Sequence, residues 1–248
     1  MKHSLIWLLL FGNLLALRAQ QQDINAAFFD RIDGLLKKYV SDDRIAYQAI
    51  GQDKEFAELI QIIGSASLDG KDSATRQAFL INSYNLLVIK GVLEAYPLKS
   101  VLDVDGFFDT KKHKVAGEYI TLNELEKKKL LRVYEEPRFH FVLVCGAIGC
   151  PPIAAFAYTP EKLEMQLEER TRKALNDQLF IKVNDSKKQV LLSQIFEWYL
   201  SDFGGSKTSA IGYVNRYRDN PIPTSYKIDY YAYDWGLNKT SSTNDMAK

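Results

Sequence analysis

The two cysteines of the chain stand together in Cys145-Gly-Ala-Ile-Gly-Cys150-Pro-Pro, and His140 lies five residues ahead of the first. A thiolate beside an imidazole base is the arrangement of nucleophilic catalysis, here acyl transfer or amide hydrolysis. The same pair serves two other ends. In an oxidising compartment the cysteines would form a structural disulfide, which for so short a loop stabilises by about 2 kcal/mol in a chain-entropy picture. They can equally be two buried, inert thiols. The three readings agree on the place and differ on the reaction.

Geometry bears on His140. The β-branched and aromatic run over residues 138–145 reads as a strand ended by Gly146. Side chains alternate along a strand, so Phe139, Phe141, Leu143 and Cys145 would share one face, and His140 would share the other with Val142 and Val144. A direct His140–Cys145 dyad then needs a bulge, whereas Cys150, beyond the turn, is freer to approach. The bland alternative is a half-buried imidazole bonded to a backbone carbonyl.

A second polar group, Asn82, Ser83, Tyr84 and Asn85, sits in an otherwise apolar helical run. Asn82 and Asn85, three apart, share one helical face. Buried amides cost stability unless partnered, so they either clamp neighbouring backbone or line a pocket. Clamping is the commoner use, and the specific expectation is that they hold the 145–150 loop. With Asn82 or Asn85 as an orienter or oxyanion donor, the cysteines and His140 would make a thiol-dependent site.

Other motifs fall away. Residues 64–71 resemble a phosphate loop, but Gly64 and Gly70 are spaced wrongly and Asp72 replaces the required hydroxyl. Gly-x-Ser-x-Gly and His-Glu-x-x-His are absent. A zinc site would have to combine His113, His140 and both cysteines at a spacing that matches no finger. Tyr226, Tyr230, Tyr231, Tyr233 and Trp235 could stack sugars, but they alternate over both faces of an expected strand, which favours ordinary packing. No cofactor and no metal is implied.

The elements that would position these groups follow from period and punctuation. Helices are expected over residues 23–40, 53–63 and 73–96, the last apolar nearly all round and ended by Pro97. A hairpin over 107–121 would turn near 111–114, with Gly117 as a second bend. Thr121 and Glu124 then form a capping box for a helix reaching Arg132. Thr159-Pro160 opens a helix to about Asn176, and residues 180–183 and 189–192 form a hairpin. Ser193 caps a short helix that stops near Gly204-Gly205, followed by a helix over 207–217 and a strand over 226–234. The irregular alternation predicts an α+β single domain: a buried central helix packed on a small mixed or antiparallel sheet, flanked by further helices.

The first residues, 1–19, read as a secretory signal: Lys2, an apolar run over 5–17, and Ala19 before Gln20. The run is too short to span a bilayer, so the mature chain is expected to be exported, to the periplasm or outside the cell, without a transmembrane helix. The domain would cover 20–237, and the polar stretch 238–248 would be a disordered tail. The whole chain carries 32 basic and 31 acidic side chains; removing Lys2 and Arg18 with the leader leaves 30 against 31. So balanced a surface offers no footprint for nucleic acid. The partner is left as a small molecule or another exported protein.

Several blocks together resemble the domain-of-unknown-function family 547: Ala78-Phe-Leu-Ile-Asn-Ser-Tyr-Asn-Leu-Leu-Val-Ile, Tyr96-Pro-Leu-Lys-Ser-Val, Thr121-Leu-Asn-Glu-Leu-Glu126, and the segment from Pro137 through Pro152. Ser193-Gln-Ile-Phe-Glu-Trp-Tyr-Leu-Ser-Asp-Phe and Tyr233-Asp-Trp-Gly-Leu-Asn also fit, so that the likeness extends over most of the mature chain. The resemblance implies Asn82, Asn85, Glu126, Arg138, His140, Cys145 and Cys150 as the matched polar positions, and no agreed activity. It also implies His near the positions of Lys90 and Lys127, where this chain departs. A weaker likeness, in layout alone, is to the papain and transglutaminase architecture, but here the central helix bears Asn where those enzymes put the nucleophilic Cys.

Two functions follow as expectations. One is a thiol-dependent hydrolase or acyltransferase using Cys145 or Cys150 with His140, which requires the sulfurs to be unjoined. The other, favoured by the incomplete catalytic set and the Lys90 and Lys127 departures, is a binding module with a stapled Cys loop. For that module Asn82, Asn85, Glu126 and Arg138 are the candidate binding residues.

Overall fold

The computed structural model describes residues 24–240, and they form an α+β domain. Helix α1 (Ala26–Tyr39) is capped by Asn25, whose side chain accepts from the Phe28 amide, and buries Phe28, Phe29, Ile32, Leu35 and Leu36 along one stripe. A two-residue ladder, β1 (Val40–Ser41) with β2 (Arg44–Ile45), leads to α2 (Tyr47–Gln52) and α3 (Lys54–Ser65). Gly64, the start of the discarded phosphate-loop likeness, is therefore inside a helix.

Helix α4 (Ser73–Glu94) is the axis of the domain. Asp72 caps it by accepting from the Thr75 amide at 2.7 Å. Buried side chains point in every direction from Ala78 to Val92. Such a helix must be covered on all sides, and its packing neighbours are chiefly α2, α3, the residue 125–131 segment and the Pro160–Lys162 turn. The domain is thus the expected α+β arrangement around a buried central helix, with helical neighbours foremost in covering it.

The first hairpin pairs β3 (Lys112–Val115) with β4 (Glu118–Thr121). It turns at Ala116 and Gly117, both at positive φ, rather than at 111–114. Residues 112–115 alternate exposed and buried, which places His113 and Val115 on the inner face. The capping box forms as read: the Glu124 amide donates to Thr121 Oγ1 at 3.1 Å, and the Thr121 amide to Glu124 Oε2 at 3.0 Å. The helical stretch it opens is composite, α5 (Leu122–Glu124), a π-helical turn (Leu125–Leu131) and α6 (Arg132–Tyr134).

The largest correction concerns residues 138–145. The expected strand is instead a 3-10 helix (Pro137–Phe141) followed by irregular chain. Tertiary context overrides the β propensity: the Val142 carbonyl and the Val144 amide find their partner on α4, and the Val142 and Leu143 amides donate to Phe139 O, rather than to a neighbouring strand. The face-alternation argument for His140 therefore lapses.

After the Pro160–Lys162 turn, α7 (Leu163–Asn176) leads into β5 (Ile181–Asn184) and β6 (Gln189–Ser193), an antiparallel pair. Short helix α8 (Ile195–Trp198), a 3-10 turn (Leu200–Phe203) and α9 (Lys207–Asn215) then connect to β7 (Lys227–Tyr231), which runs parallel to β6 and makes the sheet mixed. Gln194, not Ser193, holds the N-cap position of α8. Phe141, Phe180, Phe196, Phe203 and Tyr213 pack ring on ring in this half of the core.

The expected tail begins too early. Residues 238–240 are tied to β2: the Ile45 amide donates to Asn238 O, the Thr240 amide to Ile45 O, and Tyr47 Oη to Asn238 Oδ1 at 2.6 Å. Polar composition hid a segment whose bonds are made to distant backbone. The leader expected over 1–19 and the rest of the tail lie outside the described residues. No helix among the described residues is long and apolar enough to cross a membrane.

The two central amides act as clamps. Asn85 Nδ2 donates to Val142 O at 2.9 Å, and its Oδ1 accepts from the Val144 amide at 2.8 Å. Asn82 Nδ2 donates to Tyr158 O at 2.7 Å and to Ala78 O, while its Oδ1 accepts from the Tyr158 amide at 3.0 Å. Asn85→Ala would strand one buried donor and one buried acceptor, and is expected to cost about 2–4 kcal/mol. Urea denaturation of the two proteins measures this, and a loss under about 1 kcal/mol would contradict the clamp.

Candidate functional site

The two sulfurs are joined, Cys145 to Cys150, with an S–S separation of 2.12 Å. The staple lies directly beyond the backbone that Asn85 holds. From the opposite side the loop pairs with residues 234–238: the Ile148 amide donates to Gly236 O at 2.7 Å, the Gly149 amide to Asp234 O at 2.8 Å, and the Asn238 amide to Gly146 O at 3.0 Å. Two glycines make this contact sterically available. Gly146 adopts φ +83°, and a Cβ on Gly149 would fall 2.9 Å from the Asp234 nitrogen.

Tyr233, just before that strap, donates its hydroxyl toward the staple, with Oη 3.0 Å from each sulfur. Gln194 Oε1 accepts from the Tyr233 amide at 2.8 Å and fixes the residue's approach.

Cys145, Cys150, His140 and Glu126 all line one cleft of about 460 Å³, a volume in the range of small-molecule sites. Glu126 projects from the π-helical turn, a local geometry that often accompanies functional positions. Its carboxylate is buried and accepts from Tyr84 Oη at 3.1 Å and Tyr199 Oη at 2.6 Å. Burial, reinforced by the Glu126 charge, pushes both phenols well above their ordinary range, so they stay protonated donors. Burial raises Tyr233 likewise. His140 is buried; its Nε2 stands 2.8 Å from Asp202 Oδ2, and its ring packs on Tyr199 with centroids 4.2 Å apart.

Of the other residues singled out from the sequence, Asn82 and Asn85 support the cleft from beneath without lining it. Arg138 is also outside the lining. It bridges Glu136 and Glu164 and ties the Pro137–Phe141 turn to α7. Lys90 pairs with Glu94 on α4, and Lys127 is an exposed side chain next to Glu126. His113 is buried in the first hairpin and does not line the cleft. Among the described residues no group of three His, Cys, Asp or Glu is placed to hold a metal ion.

Of the aromatic wall of the cleft, only Tyr233 and Trp235 stood out in the sequence, where spacing assigned them to packing; Phe108 and Trp198 did not. Trp198, Tyr233 and Trp235 pack on one another with centroid separations of 5.0, 5.9 and 4.7 Å, and Phe108 extends the wall from Trp235. Tyr233 and Trp235 lie past the end of β7, so the alternation argument that assigned them to packing does not apply to them. Asp202 was likewise missed. Both stretches stood in blocks that carry the family likeness, and that was the available signal.

With the sulfurs joined, neither is a nucleophile, and His140 Nε2 is engaged by Asp202. Ellman titration of the unfolded full chain without reductant should find no free thiol, rising to two per chain after reduction; two free thiols at the outset would restore the thiolate reading. The His140 pairing makes a second prediction. Chiefly through its bond to His140, the Asp202 carboxyl is held below the usual carboxylate range. A depressed folded-state pKa contributes stability above the unfolded value, about 3.9, and loses it as pH falls through the folded value. The stability gap between wild type and Asp202→Asn should therefore be full near neutrality and shrink below about pH 4. A gap that does not vary with pH would remove the pairing.

Neither the curated proteins nor the solved structures yield a match to this chain. The family model described as "Protein of unknown function, DUF547" matches residues 68–174, about 40% of the chain. All seven polar positions implied by the resemblance fall inside that stretch, while Trp198, Tyr199, Asp202, Tyr233 and Trp235 fall outside it. Over residues 68–174 the chain matches the uncharacterised family that its Asn-x-Tyr-Asn and Cys-to-Cys blocks resemble.

Proposed function

We propose that this chain is an exported ligand-binding module and that the cleft bounded by the Cys145–Cys150 staple, Glu126, His140 and the aromatic wall is its binding site. The observation that carries this reading is the combination of a preformed concavity of about 460 Å³ with few, fixed polar groups among aromatic faces. Every one of those polar groups is positioned by a second contact: Glu126 by two tyrosines, His140 by Asp202, Tyr233 by Gln194. Preorganisation of this kind lowers the entropic cost of binding. The apolar run near the start of the chain and the paired sulfurs support export. A hydrolase or acyltransferase using Cys145 or Cys150 would need a thiolate that the joined sulfurs do not supply.

Indole fluorescence can report on this site. The chain has three tryptophans, Trp7, Trp198 and Trp235, and the last two both line the cleft. In the Trp7→Phe chain, a small molecule that raises the melting temperature should also shift or quench tryptophan emission. At a concentration 100 times Kd the stabilisation is about 2.7 kcal/mol. Stabilising compounds that leave the emission unchanged would place the site elsewhere. A library of amines, saccharides and carboxylates with no stabilising member would end the binding proposal.

A further inference from the structure

We infer that the ligand of this cleft presents a cationic nitrogen, a quaternary or protonated amine, to Glu126 and the aromatic wall. This rests on the cleft being the binding site and adds the chemical class of its occupant.

The first ground is charge. Among the described residues the cleft is lined by Asp105, Asp109 and Glu126 and by no lysine or arginine. His140 is the one basic side chain in the lining, and it faces the carboxylate of Asp202. Asp109 also borders a neighbouring surface depression that carries Lys112, Lys127 and Lys128. The negative charge proper to the cleft is therefore that of Glu126 at the floor and Asp105 at the rim. Glu126 is buried, yet its partners are two neutral phenols, and it takes part in none of the ion pairs. Hydroxyl donors solvate a carboxylate without neutralising it, and a buried charge is costly unless paired. An arriving cation would supply the missing counter-charge, whereas an anion would be repelled.

The second ground is the wall. Indole and phenol faces attract cations through their quadrupoles, tryptophan most strongly, and clustered rings of this kind are the usual receptor for quaternary ammonium groups. Trp198 is 46% exposed although it packs against Tyr233 and Trp235, so it retains free surface at the cleft. A saccharide could stack on the same rings, but it would leave the Glu126 charge uncompensated.

The test uses the full chain and a matched pair of probes: choline, and its neutral isostere 3,3-dimethyl-1-butanol, which differs only in carbon for nitrogen. Binding is followed by calorimetry and by tryptophan emission. Choline should bind at least about tenfold more tightly than the isostere. Glu126→Gln should erase most of that ratio. Asp105→Asn, an exposed rim change that folding tolerates, should reduce it more mildly. Equal affinity for the two probes, or a methyl glucoside bound more tightly than choline, would overturn the inference while leaving a binding cleft in place. If neither choline, the isostere, the glucoside nor acetate binds, the inference and the binding reading both fail.

Discussion

The bidentate grip of Asn85 on residues 142 and 144 is the contact from which the rest of the site is built. It makes an irregular segment as well satisfied as a strand would be. Buried backbone groups need partners whatever the local conformation. One amide side chain on a rigid helix supplies both a donor and an acceptor at once. Because α4 is buried on all sides, that amide cannot be met by water, and the helix and the segment are fixed relative to one another. Asn82 repeats the device at Tyr158, where the chain returns from the Cys loop. The two clamps thus hold both ends of the excursion that contains the staple.

The staple itself is positioned from two directions. Asn85 anchors its N-terminal approach, and the 234–238 strap holds its amides from the other side. The strap is in turn tied to β2 and Tyr47 through Asn238. Residues that are nearly two hundred positions apart therefore share one hydrogen-bonded layer beneath the cleft. This arrangement explains why glycine is required at 146 and 149. The loop must turn with positive φ and then lie against another backbone without an intervening side chain.

The cleft divides by origin. Its polar floor, with the disulfide, His140 and Glu126, comes from the stretch that matches the family model, whereas most of its aromatic wall comes from residues that follow it. On the binding reading, the floor sets what charge the ligand carries and the wall sets what shape is held against it. A relative that kept the floor but replaced the wall would keep the first preference and alter the second.

Much of this was already legible in the residues. Period and punctuation located α1, α3, α4 and α7, because an amphipathic or all-apolar run and a flanking Pro97 or Pro160 act locally, and the Thr121–Glu124 capping box likewise marked the start of α5. The buried-amide argument identified the clamps, since the cost of an unpartnered amide is independent of fold. The β propensity of residues 138–145 misled because the partner of that segment is a side chain on a helix rather than a neighbouring strand. Tyr199, Tyr233, Trp235 and Asp202 could not be assigned to a site from spacing. Their proximity to Glu126, His140 and the sulfurs arises from contacts 62 to 88 residues apart. The sequence by itself thus determined the long helices, the place of the cysteines and the need for amide partners, all properties of a residue and its near neighbours. Only the tertiary structure decided that the sulfurs join, that His140 turns to Asp202 and that an acidic floor meets an aromatic wall, because each depends on where distant chain is brought to pack.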